Sequence, residues 1–572
     1  MRREFFLTFL GVAIVAMAGN VKGDEDPEVT APIGKIRGSH MTSRLGKKIY
    51  AFRGVRYAEP PVGQQRFQQA IAAKPWSDVF NASVEGPSCP QKYTQLVNED
   101  CLRLNIYTTK LPPKVGTKGK PVKRPVVVFF HPGGFYGGSG QGYIFGPQYW
   151  LDQDIVLVTT NYRLASLGFL STGDSLAPGN LGLKDQVEAL RWIKKNIASF
   201  GGDPDSVTIT GYSAGSWSVT LHMISPMSKG LFHRAIAMSG AATVQEPLPT
   251  QQKHLAKKQA ELLGCPTDTT GNMLICLNTK TIEEFVDSYE KFFEWHRDPI
   301  LVWSPVVEPE VNGVERFLPA QPVDLIRQGK INEVPLIIGV TKDEFGGVVT
   351  SIIEEARKGN TSTFDDLNQN WDTIAPISFL YERGTPRSRR ISQELKKFYL
   401  NNQPVSLDNV DGLAQLYADA VIGFSAHRFV KLISAASAKP VYYYRFSYQG
   451  RFSHSVWSDT KKPYGVVHHD DLLYLFYISF FPYFNATDPE VVTVKRLTTM
   501  WTNFAKTGQP IPTNNEDFKN VKWPIYTDKT KEYLDIGDNL VTDCGLYRNR
   551  MSFWDNLFPL KPHNFDDTGV KQ

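Results

Sequence analysis

Five short runs of almost unbroken apolar residues constrain the fold of this 572-residue chain more than any other feature. Such runs fit β-strands that are covered on both faces, as in a parallel sheet between layers of helices. Between them, Gln186–Ala198 carries four aliphatic side chains at helical spacing. Strands that alternate with helices predict an α/β fold with a large, mostly parallel sheet. The predicted strands are Val126–Phe130, Ile155–Thr159, Val207–Thr210, Val334–Val340 and Val441–Phe446.

The composition fits a large globular protein. With 41% hydrophobic and 12% aromatic residues, the chain can bury a substantial core, which excludes a disordered or fibrous protein. The net charge is only +5, and nucleic-acid binding needs clustered basic residues. We therefore expect no nucleic-acid partner.

Residues 1–18 have the pattern of a secretory signal peptide. A basic start precedes an apolar run that ends in the cleavage pattern Ala16–Ala18, although cleavage could also follow Gly23. The alternative is an uncleaved anchor, but the run is too short to span a bilayer comfortably. We expect a secreted protein without a stable membrane anchor, with one α/β domain over residues 24–562 and a tail over 563–572.

Cysteines and glycosylation sequons agree with an extracellular location. Four of the five cysteines form two closely spaced pairs, as short disulfide loops would, although spacing alone does not choose the pairing. Cys544 lies outside these pairs and is either a free thiol or part of an intermolecular disulfide. Sequons occur at Asn81, Asn360 and Asn485.

The strand Val207–Thr210 runs directly into Gly211–Gly215 (GYSAG), and a helix-compatible stretch follows. This is G-x-S-x-G in the strand–turn–helix setting that the motif requires, so Ser213 is the candidate nucleophile. The serine backbone is strained, and the two glycines leave room for the neighbouring strand and helix. A similar stretch, Gly423–His427 (GFSAH), lacks the last glycine and lies in a helical pattern, so we interpret Ser425 as structural.

The strand Val126–Phe130 ends in His131–Phe135 (HPGGF), which matches the HGGG-type donor loop of ester hydrolases. Gly133 and Gly134 lack Cβ atoms, so their N–H groups can approach a substrate oxygen, and Ala214 would supply a third donor. Losing one such donor typically costs about 3–4 kcal/mol in the transition state. The sequence thus predicts an oxyanion hole formed by three backbone N–H groups.

We expect neither a cofactor nor a metal ion. Gly137–Gly140 (GGSG) fails the spacing of a dinucleotide fingerprint. A metal site at His468–Asp471 (HHDD) is an alternative, but H-E-x-x-H is absent and adjacent residues rarely converge on one ion.

Together these motifs resemble the type-B carboxylesterase and cholinesterase family over nearly the whole mature chain, most of all secreted insect esterases such as venom carboxylesterases. The resemblance implies an α/β-hydrolase fold and a Ser…Glu…His order of catalytic residues. Further matching strings are Phe52–Gly63 (FRGVRYAEPPVG), Glu99–Tyr107 (EDCLRLNIY), Gly179–Gln186 (GNLGLKDQ), Phe200–Pro204 (FGGDP) and Ser225–Phe232 (SPMSKGLF).

The resemblance also supplies the partners of the serine. Glu344 (in GVTKDE) matches the acid and follows the predicted strand Val334–Val340, with Asp343 as the alternative. His468 (in GVVH) matches the histidine, with the adjacent His469 as the alternative, at a position that is often small in relatives. The implied structural contacts are the disulfides Cys89–Cys101 and Cys265–Cys276 and the ion pairs of Arg66 with Glu99 and of Arg163 with Asp185.

The implied function is hydrolysis of a small carboxylic ester through an acyl-enzyme. One alternative is a catalytically inactive, cholinesterase-like adhesion or binding protein, although inactive relatives tend to lose a triad residue and this chain keeps all three. Another is a juvenile-hormone-type esterase, which Tyr212 weakens because those enzymes typically have glutamine there and many other relatives have glutamate. The loop between Cys89 and Cys101 lacks the tryptophan that binds choline in cholinesterases, so we expect poor turnover of choline esters.

Overall fold

The computed structural model describes residues 25–94, 96–113 and 123–560. The predicted signal peptide and the tail over 563–572 lie outside these residues. The strands are β1 (Glu28–Ala31), β2 (Gly34–Arg37), β3 (Ser39–Thr42), β4 (Lys48–Arg56), β5 (Phe80–Asn81), β6 (Arg103–Thr108), β7 (Arg124–Phe130), β8 (Val156–Thr160), β9 (Gly202–Tyr212), β10 (Arg234–Met238), β11 (Leu336–Thr341), β12 (Val441–Phe446), β13 (Glu532–Ile536) and β14 (Leu540–Cys544).

Within the described residues, eleven strands form one sheet in the order β14-β13-β12-β11-β10-β9-β7-β8-β6-β4-β3. The stretch from β13 to β8 is parallel throughout, and the strands beyond it at both edges pair antiparallel. A small separate sheet joins β1, β2 and β5. The predicted α/β class with a mostly parallel sheet is confirmed.

Helices cover both faces of the large sheet, and buried side chains form two clusters, one on each face. On β9, for example, Ile209 belongs to one cluster and Tyr212 to the other. The helices are α1 (Ala165–Phe169), α2 (Leu181–Asn196), α3 (Ala214–His222), α4 (Lys253–Leu262), α5 (Thr270–Leu277), α6 (Ile282–Ser288), α7 (Pro322–Arg327), α8 (Gly346–Arg357), α9 (Ser362–Gln369), α10 (Trp371–Ser378), α11 (Pro386–Leu400), α12 (Val410–Ala418), α13 (Phe424–Ala436), α14 (Val491–Thr507) and α15 (Arg548–Leu557).

All five predicted strands are present, as β7, β8, β9, β11 and β12, and the predicted helix lies within α2 and the short 3-10 turn that follows it. Ser425 is buried in α13, where its hydroxyl donates to the carbonyl of Ile422 and accepts the N–H of Ala241. Among the described residues, no helix combines the length and apolar character that crossing a bilayer requires.

Candidate active site

Ser213 occupies a sharp turn between β9 and α3. Its backbone has φ 54° and ψ −117°, a conformation that costs a non-glycine residue about 1–3 kcal/mol. The Ser213 N–H donates to the carbonyl of Met238 at 2.9 Å, which fixes the turn against β10. A Cβ atom at Gly211 would overlap the carbonyl of Gly215, and a Cβ atom at Gly215 would overlap that of Phe130. Steric exclusion therefore explains both glycines of the motif.

His468 and Glu344 form a buried pair. The Nδ1 atom of His468 lies 2.5 Å from Oε2 of Glu344, whose Oε1 accepts the N–H of Thr341 at 2.8 Å. Because Thr341 ends β11, the acid lies at the carboxyl end of a parallel strand. The Nε2 atom of His468 has no hydrogen-bond partner among the described residues, and His468 lines the same cavity as Ser213. A carboxylate at Nδ1 favours the tautomer in which Nε2 can accept a proton.

Asp343, the alternative acid, makes a different set of contacts. Its carboxylate accepts the N–H of Val466 at 2.9 Å, and its own N–H donates to the carbonyl of Val466, also at 2.9 Å. These two bonds hold the loop that leads to His468. Asp343 thus fixes the histidine loop, while Glu344 contacts the histidine ring.

His469, the alternative histidine, has its backbone in the left-handed region at φ 81°, where glycine meets less steric strain than any other residue. Its N–H donates to the hydroxyl of Tyr212 at 2.8 Å, and its ring lines the cavity. Burial, followed by the neighbouring His468 and His454, holds the pKa of His469 well below its ordinary value. The ring is therefore neutral and lies beside the His468–Glu344 pair without joining it.

The predicted oxyanion donors line this cavity as well. Gly133 and Gly134 have φ values of 119° and 58°, and both border the cavity with Ala214. The carbonyl of Gly133 accepts the N–H groups of Tyr136 and Gly137, which closes the loop into a tight turn. Within the described residues, the N–H groups of the two glycines donate to no protein acceptor. The Ala214 N–H is at the first turn of α3, where helices leave N–H groups unpaired.

The oxyanion loop is supported by the loop that the Cys89–Cys101 disulfide closes. The side chain of Gln91 donates from Nε2 to the carbonyl of Gly138 at 2.8 Å and accepts the N–H of Gly138 at 2.7 Å. The side-chain amide of Gln91 thus binds both the carbonyl and the N–H of Gly138, as the main chain of a neighbouring β-strand would. We call this pair of bonds the Gln91 clamp. The clamp holds the segment that follows Gly133 and Gly134.

The cavity has a volume of about 120 Å³, and its wall is mainly apolar. No acidic or basic side chain other than the two histidines lines it among the described residues. Trp217 could have been found from the sequence, since it lies one helical turn after Ser213. Phe135 ends the HPGGF motif. The other apolar wall residues come from three separate segments and carried no sequence signal; they are Ile300, Leu301, Phe345, Val421 and Ile422.

A second cavity, of about 270 Å³, shares Tyr136 with the first. The ring of Tyr136 stacks on that of Tyr289 at 4.7 Å between centroids. Phe285 and Phe293 add apolar surface, while Lys92 and Glu290 form an ion pair of 2.9 Å at its border. Space for a larger ester group therefore lies next to the candidate catalytic residues.

The disulfides and ion pairs that the resemblance implied are present. Cys265–Cys276 forms the second short loop, whereas Cys544 is a free, exposed cysteine at the end of edge strand β14. The ion pairs Arg66–Glu99 and Arg163–Asp185 each have an N···O distance of 2.6 Å. The sequon residues Asn81, Asn360 and Asn485 are all exposed.

The HHDD segment does not converge on a common point. His468 contacts Glu344, while Asp470 accepts a hydrogen bond from the hydroxyl of Ser453 at 2.7 Å. Among the described residues, no group of three His, Cys, Asp or Glu side chains is arranged to hold a metal ion.

Residues 25–554 match the model of the carboxylesterase family. Esterase FE4 of Myzus persicae is 37% identical, over 89% of this chain and 88% of that protein. Venom carboxylesterase-6 of Apis mellifera is 33% identical, over 97% of this chain and 98% of that protein.

Among solved structures, the crystal structure of juvenile hormone esterase from Manduca sexta, with OTFP covalently attached, is similar with a TM-score of 0.80 and 27% identity. The match covers 94% of this chain and 100% of that chain, and it confirms the α/β-hydrolase fold. The chain therefore belongs to the carboxylesterase family and is a carboxylic ester hydrolase.

Proposed function

We propose that this protein is a secreted serine esterase in which Ser213 is the nucleophile, His468 the general base and Glu344 the orienting acid. The observation that carries the proposal is the environment of the His468 ring. Its Nδ1 atom is engaged by Glu344, while its Nε2 atom has no partner among the described residues and the ring borders the cavity of Ser213. This is the arrangement that general-base activation of a serine needs.

In the first half-reaction, Nε2 of His468 takes the hydroxyl proton as Ser213 attacks the ester carbonyl. Glu344 holds the imidazole orientation and stabilises the imidazolium. The tetrahedral intermediate expels the alcohol, to which His468 returns the proton, and an acyl-enzyme remains. Water, deprotonated by His468, then attacks the acyl carbonyl, and the carboxylic acid leaves as Ser213 is reprotonated.

The backbone N–H groups of Gly133, Gly134 and Ala214 are proposed to bind the oxyanion of each tetrahedral intermediate. The two glycine N–H groups are free of protein acceptors within the described residues, which supports this role. Because the donors are fixed by a tight turn and by a helix start, they need no rearrangement as charge develops.

We propose neutral carboxylic esters of small molecules as the substrate class. The apolar wall of the first cavity would hold the group nearest the carbonyl, and the larger cavity beyond Tyr136 would hold a more extended group. The covalent attachment of OTFP in the juvenile hormone esterase structure agrees with covalent chemistry in this fold.

Secretion is supported by three independent features: the basic–apolar leader with its cleavage pattern, the two disulfides and the exposed sequon residues. Expression of the full chain in insect cells should deliver a glycosylated protein to the medium. Retention of the chain inside the cell with an intact leader would contradict this.

The direct test of the mechanism is hydrolysis of an ester panel of graded acyl length by the wild type and Ser213→Ala. We expect the substitution to lower kcat by several orders of magnitude while the fold is retained. Ser425→Ala is the matched control, because Ser425 is buried in α13 in a similar sequence. Undiminished hydrolysis by Ser213→Ala would refute the nucleophile assignment.

A further inference from the structure

Tyr212 connects the two segments that carry the proposed nucleophile and base. The residue is fully buried at the end of β9, directly before Ser213. Its hydroxyl accepts the backbone N–H of His469 at 2.8 Å and the hydroxyl of Ser239 at 2.9 Å. Its ring also packs edge-on against His468, with 5.0 Å between ring centroids.

The hydroxyl of Tyr212 makes this connection without touching the substrate cavity. Ser213 and His468 border the cavity, but Tyr212 is not among its lining residues. The bond to His469 fixes the main chain one residue beyond His468. An error of about 1 Å in the placement of a catalytic group can cost about 100-fold in rate, so such a bond can control catalysis from outside the cavity.

The hydroxyl of Tyr212 holds the histidine segment without adding a charge beside it. Burial, with the nearby Asp471 and Glu344, raises the pKa of Tyr212 well above its ordinary value, so the hydroxyl is neutral. Asp471 also stays protonated over much of the neutral range, because burial and the charge of Glu344 raise its pKa to about 8. Tyr212 therefore provides a neutral polar acceptor, while the carboxylate that contacts His468 is that of Glu344.

We propose that Tyr212 is a positioning residue whose hydroxyl, by accepting the N–H of His469, fixes His468 relative to Ser213. The inference rests on the proposed triad.

The test compares three variants that each remove one hydroxyl. Tyr212→Phe removes the acceptor of the His469 N–H. Tyr444→Phe is the matched control, because Tyr444 is equally buried and its hydroxyl donates to the Asp471 side chain at 3.4 Å, whereas the His469 N–H donates to Tyr212. Ser239→Ala removes the other donor to Tyr212 and leaves the bond to His469 in place.

We expect Tyr212→Phe to lower kcat by 10- to 100-fold with KM nearly unchanged, since ground-state contacts in the cavity stay the same. Tyr444→Phe and Ser239→Ala should stay within threefold of the wild type. Active sites are counted by titration with a neutral organophosphate, so that unfolded molecules do not enter kcat. The rate of phosphorylation of Ser213 should fall in parallel with kcat.

A kcat of Tyr212→Phe within threefold of the wild type would overturn the proposal. So would equal losses in the two tyrosine variants, which would indicate a general packing effect. If Tyr212→Phe does not fold, Ser239→Ala still tests the proposal. A tenfold or greater loss of kcat in that variant would overturn it, because the important contact of Tyr212 would then be the one with Ser239. Failure of the proposed function is recognised separately, by a Ser213→Ala variant that remains active.

Discussion

A Cβ atom on Gly215 would overlap the carbonyl oxygen of Phe130, so position 215 has no space for a side chain. Phe130 ends β7, and the oxyanion loop begins with the next residue. Gly215 is in the first turn of α3, directly after Ala214. This close approach, together with the pairing of Phe130 with Gly211 in the sheet, therefore fixes the separation between the proposed nucleophile turn and the proposed glycine donors.

We expect Gly215→Ala to lower the free energy of unfolding by about 1–3 kcal/mol and to remove most ester hydrolysis, because either β7 or α3 must move. Urea unfolding and kcat/KM measure the two effects. Gly271→Ala is the control, since its added Cβ would meet only a side-chain atom of Leu176 at 3.9 Å. Wild-type stability and activity in Gly215→Ala would contradict the steric argument.

We expect Glu344→Gln to lower kcat/KM by about 10³- to 10⁴-fold, because the neutral amide neither fixes the tautomer of His468 nor stabilises its imidazolium. Asp343→Asn should stay within tenfold of the wild type, since its amide oxygen can still accept the N–H of Val466. Both variants are measured on the same ester at saturating and limiting concentrations. A larger loss in Asp343→Asn would reverse the assignment of the acid.

Choline esters should be no better substrates than neutral esters of the same shape. No carboxylate lines the first cavity among the described residues, and the Cys89–Cys101 loop has no tryptophan. Trp217 is the single indole in that wall, and one cation–π contact contributes about 0.5–2 kcal/mol. The measurement is kcat/KM for acetylcholine against 3,3-dimethylbutyl acetate, and a clear preference for acetylcholine would refute this expectation.

The raised pKa of Asp471 predicts that the free energy of unfolding depends on pH. Its pKa in the folded protein is about 8, mainly because of burial and then because of Glu344, whereas an unfolded aspartate titrates near pH 4. Between about pH 4 and 8, the folded state keeps a proton that the unfolded state releases. The stabilisation from this raised pKa is therefore complete below pH 4 and is lost as the pH rises to 8.

Asp471→Asn removes this titration, so the free energy of unfolding should decline less steeply with pH than in the wild type. Urea unfolding at one-unit intervals from pH 4 to 9 gives both slopes. Identical slopes in the two proteins would show that Asp471 does not hold the proton.

The central strands could be predicted because burial on both faces requires an almost unbroken run of apolar residues, which is visible in the sequence. Val441–Phe446 has the predicted bounds, and Val334–Val340 begins two residues before β11 because Pro335 cannot donate to the sheet. The edge strands gave no such pattern. Strand β4, Lys48–Arg56, lies next to the edge strand β3 and carries three basic residues, because antiparallel strands near the edge of the sheet are only partly covered.

The glycine motifs and the Glu344–His468 contact could be anticipated because each depends on local geometry or on residues that the family resemblance marks. The apolar residues of the cavity wall could not be anticipated from the sequence. Ile300, Phe345 and Val421 meet there only after long stretches of chain have folded, and any apolar residue would give the same sequence signal. The contact of Tyr212 with the main chain of His469 joins positions 257 residues apart, so no motif could have indicated it.

Because the Gln91 clamp depends on a disulfide-closed loop, we expect the rate of ester hydrolysis to be sensitive to thiols in the surroundings. The disulfide between Cys89 and Cys101 restrains the loop from which Gln91 binds Gly138, and Gly138 lies in the same loop as the proposed oxyanion donors Gly133 and Gly134. We expect reduction of this disulfide to weaken the contact of Gln91 with Gly138 long before the central sheet unfolds. Moved into a reducing compartment, the protein would stay folded while its turnover declined.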